Sequence, residues 1–314
     1  MNIALLFNDT NRFWTVGSYI IKELSKQNDI NIVSHCRIPE DSGILEEQCG
    51  LNADLVLVID DGGTHFKLHH HKGKFPKHTK TSIWLSDLHR EDWAAWRLQM
   101  IREFKYDHIF YAQKNFKEMV LKQGYSEDEC SWLPHAVDPD IFKPMPYITK
   151  QYDIGYVGYK NDKREKAEKI LNEYMKFKQY ASVWAWTACR SLNELKIGFN
   201  ISVEDDINMR VFESMCCGIP LLTNKIKNNG FEDLFGDNEE FCLTYDNDLE
   251  MKEKAVRLLA NPELRNILGN KGRNHVLVNH TYRNRINTIL GTFKFKLLEN
   301  MPVNNSIVIE GICK

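Results

Sequence analysis

Residues Asp54 to Ile59 form a nearly continuous apolar run that stops at Asp60-Asp61-Gly62-Gly63. A strand with apolar side chains on both faces cannot border water on either, so it belongs in a parallel sheet covered above and below by helices. The neighbouring segments fit that requirement. Residues 2 to 7 read as a first strand, the loop Asn8 to Gly17 follows, and an amphipathic helix runs from Ser18 to about Lys26. Strand, loop and helix in this order open a Rossmann-like unit. Ile30 to His35, Thr81 to Leu85 and Tyr106 to Tyr111 supply further strands, and Lys114 to Gln123 a helix.

The pattern then restarts. Pro134, Pro139, Pro144 and Pro146 make the segment after Ser131 a stiff connector, which places a boundary near residue 147. Beyond it come a strand from Tyr152 to Tyr159, a helix from Glu165 to about Phe177, a strand from Tyr180 to Trp186, a short helical piece from Ser191 to Leu195, and a strand from Lys196 to Ser202. Asn228 to Phe231 reads as a turn and Cys242 to Tyr245 as an outer strand. Two helices, Asp248 to Leu259 and Glu263 to about Asn279, are separated by Asn261-Pro262, and a last helix spans Ile286 to Leu298. The tail from Met301 to Lys314 carries no recognisable pattern.

A chain of 314 residues with 43% hydrophobic and 27% charged content suits a globular protein of two medium domains. The net charge of -2 gives no general attraction to nucleic acid or an anionic membrane. Cys36, Cys49, Cys130, Cys189, Cys216, Cys217, Cys242 and Cys313 include no C-x-x-C pair, so reduced thiols are expected, with Cys216 and Cys217 as small buried residues. The N-terminus lacks a basic leader and a cleavage site, and no run of 18 apolar residues occurs. A cytoplasmic protein without a membrane span is expected.

The stretch from Asp205 to Leu222 carries the most chemistry. Asp205, Asp206 and Asn208 suit a helix start, because their short side chains accept hydrogen bonds from first-turn amides. Gly218 ends that helix, Pro220 cannot continue it, and Leu221-Leu222-Thr223 begins a strand. The start of such a helix attracts phosphate through its amides and its dipole. Arg210 adds a planar fork suited to a diphosphate, and Glu213, one turn on, is placed to accept bonds from a vicinal diol such as a ribose. The same two residues also stand at the spacing of an ordinary surface ion pair.

Asn208-Met209-Arg210-Val211-Phe212-Glu213, followed by Cys217-Gly218-Ile219-Pro220-Leu221-Leu222, resembles the nucleotide-sugar segment of GT-B glycosyltransferases of the retaining family 4 type, and most of all the CgeB-like branch. Leu133-Pro134-His135-Ala136-Val137-Asp138 is likewise similar to the family's hinge-lining segment. The resemblance implies an α/β GT-B fold: a first Rossmann-like domain over 1–147 on the acceptor side, a second over 148–285 that binds the nucleotide-sugar, and a crossover helix and tail over 286–314, with a central cleft between the domains. It implies that Glu213 holds the donor ribose while the amides of Asn208, Met209 and Arg210 face the diphosphate and sugar. Two glutamates stand eight positions apart in the family. Counting back from Glu213 gives Asp205, so that acid is shortened here, or Glu204 replaces it.

Other candidates follow from position. Gly158 permits close backbone approach, and Lys160, Lys163 and Arg164 gather at a helix start. By resemblance Lys163 or Arg164 binds the donor phosphates; the alternative is a charged helix end with solvent-facing lysines. Asp87 and His89 follow the strand ending at Leu85, where α/β sheets place ligands, and a carboxylate there can orient an imidazole for contact with sugar hydroxyls or for proton transfer. Asp87 also suits the N-cap of the helix carrying Glu91, Trp93 and Trp96. In GT-B proteins the first loop faces the cleft, which makes Asn11, Arg12 and Trp14 candidate acceptor contacts. The segment His65 to Lys80, with His69, His70, His71 and His78 among lysines, reads as a solvated basic loop rather than a metal site, and one able to meet an anionic acceptor.

The combined expectation is a glycosyltransferase that uses a nucleotide-sugar, UDP-glucose by default, with retention at the anomeric carbon. Amides, Arg and Lys would hold the phosphates, so no metal and no further cofactor is expected. Two alternatives stand beside it: transfer to modified DNA bases through the basic loop, and a catalytically silent nucleotide- or sugar-binding module. The absence of G-x-G-x-x-G disfavours a nicotinamide enzyme.

Overall fold

The computed structural model describes residues 1–7, 15–34, 53–60, 77–88 and 91–298. Among them lie two sheets. The first contains β1 (Asn2–Leu6), β2 (Asn31–Ser34), β3 (Leu55–Ile59), β4 (Lys80–Leu85), β5 (His108–Tyr111) and β6 (Cys130–Trp132), in the order β2-β1-β3-β4-β5-β6. The second contains β7 (Tyr152–Val157), β8 (Phe177–Tyr180), β9 (Leu195–Asn200), β10 (Leu221–Asn224) and β11 (Leu243–Tyr245), in the order β11-β10-β9-β7-β8. Every neighbouring pair is parallel. β3 is buried along its whole length, as its apolar sequence demands.

Helices α1 (Val16–Leu24), α2 (Glu91–Phe104) and α3 (Lys117–Leu121) belong to the first sheet. Helices α4 (Asp162–Asn172), α5 (Ala185–Asn193), α6 (Met209–Cys216), α7 (Phe231–Phe235), α8 (Asp248–Ala260) and α9 (Pro262–Asn279) belong to the second. The side chains of Thr15, Asn161, Asn208, Asn247 and Asn261 each accept a first-turn amide, which is why these helices begin where they do. Among the described residues no helix is long and apolar enough to cross a membrane, and the five described cysteines are free and buried. Cys36, Cys49, Cys313 and the tail from Met301 lie outside the described residues.

The last helix, α10 (Tyr282–Thr292), returns to the first domain. The ring of Tyr282 lies 5.1 Å from that of Tyr19 on α1, and Arg283 Nε is 2.5 Å from Glu23. Lys22 binds Asp138 at 2.7 Å beside them. The helix starts four residues ahead of the expected Ile286 because Thr281 and Asn284 close a capping box there.

Two expectations fail between 173 and 195. The helix begun at Asp162 stops at Asn172, whose Oδ1 accepts Phe177 N at 3.2 Å and turns the chain into β8. The segment after Tyr180, expected as strand to Trp186, enters α5 at Ala185 instead. Its aromatic residues suggest strand propensity, but Trp184 and Trp186 are 41% and 47% exposed. The buried residues, Ala185, Ala188, Cys189 and Leu192, follow the period of a helix.

The two domains share one apolar cluster. It runs from Ile3, Leu5 and Phe7 through Phe142 and Tyr282 to Val211, Phe212 and Leu221. Polar contacts join the carboxyl ends of the sheets as well. Gln113, which follows β5, accepts Ile207 N at 2.9 Å and donates to Ile207 O at 3.3 Å, so one buried amide satisfies both backbone groups of a fully buried residue in the other domain. Asn115 N donates to Asn229 Oδ1 at 3.0 Å, and Lys114 reaches Asp233 at 2.6 Å. Replacing Gln113 with Leu leaves the buried Ile207 amide and carbonyl unpaired, and is expected to lower stability by about 1–3 kcal/mol. Urea unfolding at neutral pH measures this; an unchanged midpoint would mean that the domains meet without depending on that amide.

Candidate functional site

Helix α6 begins at the carboxyl end of β9, on the side where the two sheets meet. The loop that delivers it, 201–208, is tied from several directions. Asp206 Oδ1 accepts Ser202 Oγ at 2.9 Å, Val203 N at 3.2 Å and Glu204 N at 3.3 Å, closing the loop on itself. Asp205 is left-handed at φ 58°, which an aspartate tolerates. Its Oδ1 accepts Lys227 N at 2.8 Å, and its carbonyl accepts Asn229 Nδ2. Asn208 caps α6 by accepting Arg210 N at 3.1 Å.

Two cations brace the same loop. Lys163 Nζ donates to Val203 O at 2.5 Å. Arg164 donates to Tyr159 O at 2.6 Å and to Ile201 O at 3.2 Å, and its guanidinium lies 4.1 Å from the Tyr156 ring. Arg164 Nε is buried with no hydrogen-bond partner, and burial lowers the group's affinity for its proton. Gly158, at φ 153°, leaves no room for a side chain, since a Cβ there would sit 2.2 Å from Tyr156 Oη.

Arg210 Nη1 donates to Glu213 Oε2 across one turn of α6. The pair, which spacing alone also allowed as an ordinary surface one, is buried: Glu213 is 5% exposed, and burial raises its carboxyl pKa while Arg210 opposes the shift. Tyr156, Tyr19 and Tyr282 surround the pair closely enough to feel its charges. Tyr19 comes from the first domain, and Tyr282 Oη donates to Met209 Sδ at 3.7 Å.

The structure therefore gathers Arg164, Asn208, Met209, Arg210 and Glu213 around the start of α6, with Lys163 and Gly158 on the adjoining loops. It departs from the sequence reading in three respects. The Arg210 amide, expected to be open to phosphate, is taken by the Asn208 side chain. Lys163 and Arg164 spend donors on loop carbonyls rather than standing free. The Asp205 carboxylate is held by the Lys227 amide, which follows β10. Asp87 does not cap α2, which begins at Glu91; it is exposed and left-handed at φ 50°. His89, the first-loop residues Asn11, Arg12 and Trp14, and the basic segment 65–76 lie outside the described residues.

Gln113, Tyr19 and Tyr156 were not singled out in sequence, and Asp206, expected among the helix caps, closes its own loop instead. Gln113 was findable as the first strongly polar residue after a strand end; the tyrosines read as ordinary core residues.

The connector between the domains is fixed from α10. Arg285, 5% exposed, donates to Pro134 O at 2.7 Å, His135 O at 2.9 Å and Asn279 O at 3.0 Å. It also lies 3.0 Å from His280 Nδ1, which must therefore be unprotonated to accept. Burial first, then Arg285 and His275, push the His280 pKa down to about 3.

Residues 149–291 match a family model described as glycosyl transferase-like. None of the curated proteins matches the chain in sequence. Among solved structures, Anabaena HepE in complex with UDP and glucose superimposes with a TM-score of 0.66 at 10% identity, over 94% of this chain and 99% of that one. Sucrose-phosphate synthase from Thermosynechococcus elongatus gives 0.63 at 12% identity, over 94% and 98%. TarM, in a mutant form from S. aureus, gives 0.59 at 14% identity over 80% of this chain; the present chain spans 58% of TarM's length. These likenesses establish the GT-B fold, two parallel-sheet Rossmann-like domains, and residues 149–291 are similar to the glycosyl transferase-like family model.

The His280 shift gives a pH dependence with a definite sign. A histidine with a depressed folded pKa binds fewer protons folded than unfolded, so its stabilising contribution is complete above pH 6.5 and is lost as pH falls toward 3. The loss from this group is roughly 1.4 kcal/mol per pH unit. Urea unfolding between pH 7 and 5 is expected to show stability falling more steeply in the wild type than in His280→Gln; equal slopes would contradict it.

Proposed function

We propose that this protein is a glycosyltransferase that takes a sugar from a nucleotide-sugar donor bound at the start of α6, with UDP-glucose as the default donor. The observation that carries the reading is the Arg210–Glu213 pair, set one turn into a helix whose start faces the opposite domain. An ion pair kept at 18% and 6% side-chain exposure costs desolvation that an apolar pair would avoid, which favours a ligand-binding role for it. Glu213 receives the ribose diol. Arg210 and the orphaned Nε of Arg164 face the diphosphate, with Lys163, Gly158 and the backbone of Asn208 and Met209 lining the approach. Crystals of HepE with UDP and with UDP-glucose support a uridine donor by fold analogy.

The finer reading is a retaining transferase of the family 4 type, CgeB-like, working without metal. Positive groups already fixed to the loop stabilise the departing diphosphate without reorganising. Asp87 and His89, which follow β4 in sequence, with Asp205 eight positions before Glu213, are the groups proposed to act on the sugar. The domain limits proposed are 1–147 and 148–285, with 286–314 crossing back, and the location proposed is the cytoplasm. Asn11, Arg12, Trp14 and the basic loop are proposed to meet the acceptor. A second reading, a nucleotide-sugar-binding module without transfer, is favoured by the tie between Asp205 and Lys227, which turns that carboxylate toward backbone.

Calorimetry with UDP tests the donor site. Arg210→Lys keeps a counter-charge for Glu213 but removes the planar fork, and is expected to weaken UDP binding by about 1.5–3 kcal/mol. Glu213→Gln should weaken UDP and UDP-glucose alike. Unchanged UDP affinity in Arg210→Lys, or a Glu213 variant that loses turnover alone, would refute these roles.

A further inference from the structure

His135 lies in the connector between the domains, a segment with very little freedom. Trp84 Nε1 donates to Leu133 O at 2.8 Å, and Arg285 holds the carbonyls of Pro134 and His135. Two residues on, Val137 bridges to Thr281. The imidazole sits 6.4 Å from the Trp84 ring. Its Nδ1 is buried and has no hydrogen-bond partner. A buried polar atom left unpaired costs about 1–3 kcal/mol, so its persistence on a segment this constrained calls for a partner that arrives from outside.

The surroundings define what that partner is. Two carboxylates from opposite domains act on the ring's charge, Asp87 at the end of β4 and Asp206 in the loop before α6. The Asp87 backbone is held by Arg97, itself buried against Asp60 at 2.8 Å, which donates to the carbonyls of Ser86 and Asp87, and the Asp206 carboxylate closes its own loop. Burial lowers the imidazole's affinity for a proton, the two acids pull it up and Arg285 pushes it down; the net shift is downward, so the ring is neutral at pH 7. A neutral imidazole in the field of two carboxylates disfavours phosphate and, with Nδ1 unpaired, offers mainly acceptors. Among the described residues no such group is arranged to hold a metal ion. A polyhydroxylated neutral ring, which brings several O–H donors, matches the set.

We infer that His135 contacts the glycosyl group of the donor and so distinguishes the sugar while leaving the nucleotide to α6. This rests on the donor-site reading above, which concerns only the nucleotide half. The Nδ1 atom exchanges a hydrogen bond with one sugar hydroxyl as the donor enters. No covalent step is assigned to it.

The test is calorimetry of wild type, His135→Ala and His135→Asn with UDP and with whichever of UDP-glucose, UDP-galactose and UDP-N-acetylglucosamine the wild type binds most tightly. In His135→Ala, UDP affinity is expected to stay within about two-fold of wild type while UDP-sugar affinity drops about ten-fold, the size of one lost hydrogen bond. His135→Asn, whose side-chain amide reaches the Nδ1 position, should recover most of the loss and serves if the alanine variant fails to fold. In the wild type, the His135 imidazole proton resonance, assigned by its absence in the variants, should move with UDP-sugar and stay still with UDP. A variant that loses UDP and UDP-sugar equally, or neither, would overturn the assignment. A wild type that binds no UDP would overturn the donor-site reading itself, and this inference with it.

Discussion

A strand buried on both faces has nowhere to put polar residues except its ends, and that constraint shapes the whole molecule. In each sheet the strands run parallel, so their carboxyl ends lie along one edge, and the polar loops collect there. The two edges meet where Gln113 takes both backbone groups of Ile207. The start of α6, the loop 201–208, the tip of β4 and the connector through His135 all converge on that junction.

The cations at the junction do two jobs. Lys163 and Arg164 bind carbonyls of Val203, Tyr159 and Ile201, so the loop before α6 is stiffened by the same charges that are proposed to meet a diphosphate. Their field is present before a ligand arrives and needs little reorganisation. Glu213 is buried against Arg210 within that field, with three tyrosines near enough to feel its charge. The tyrosines come from α1, β7 and α10, so the environment of one carboxylate is built by both domains and by the helix that joins them.

Much of this was legible in the sequence because it is local. The apolar run at 54–59, the cap at Asn208, the turn at Gly218 and the helix break at Asn261-Pro262 are each decided by residues a few positions apart. The α5 region misled because Trp184 and Trp186 have strand propensity, whereas their exposure on a helix depends on Ala188, Cys189 and Leu192 finding the core. The pairing of Gln113 with Ile207, 94 residues away, leaves no local trace. The commitments of Arg164 and Asp205 were hidden for the same reason: spacing shows that a charge is near a helix start, and only tertiary structure shows which carbonyl or amide already holds it.

The central claim is that the junction at α6 binds a nucleoside diphosphate. Isothermal calorimetry of the wild-type protein with UDP, GDP and ADP, without added metal, tests it most directly. The account expects one nucleotide, UDP, to bind selectively, releasing heat at a single site per chain. Failure of all three to bind would mean that Arg210, Glu213 and the loop before them serve only to join the two domains.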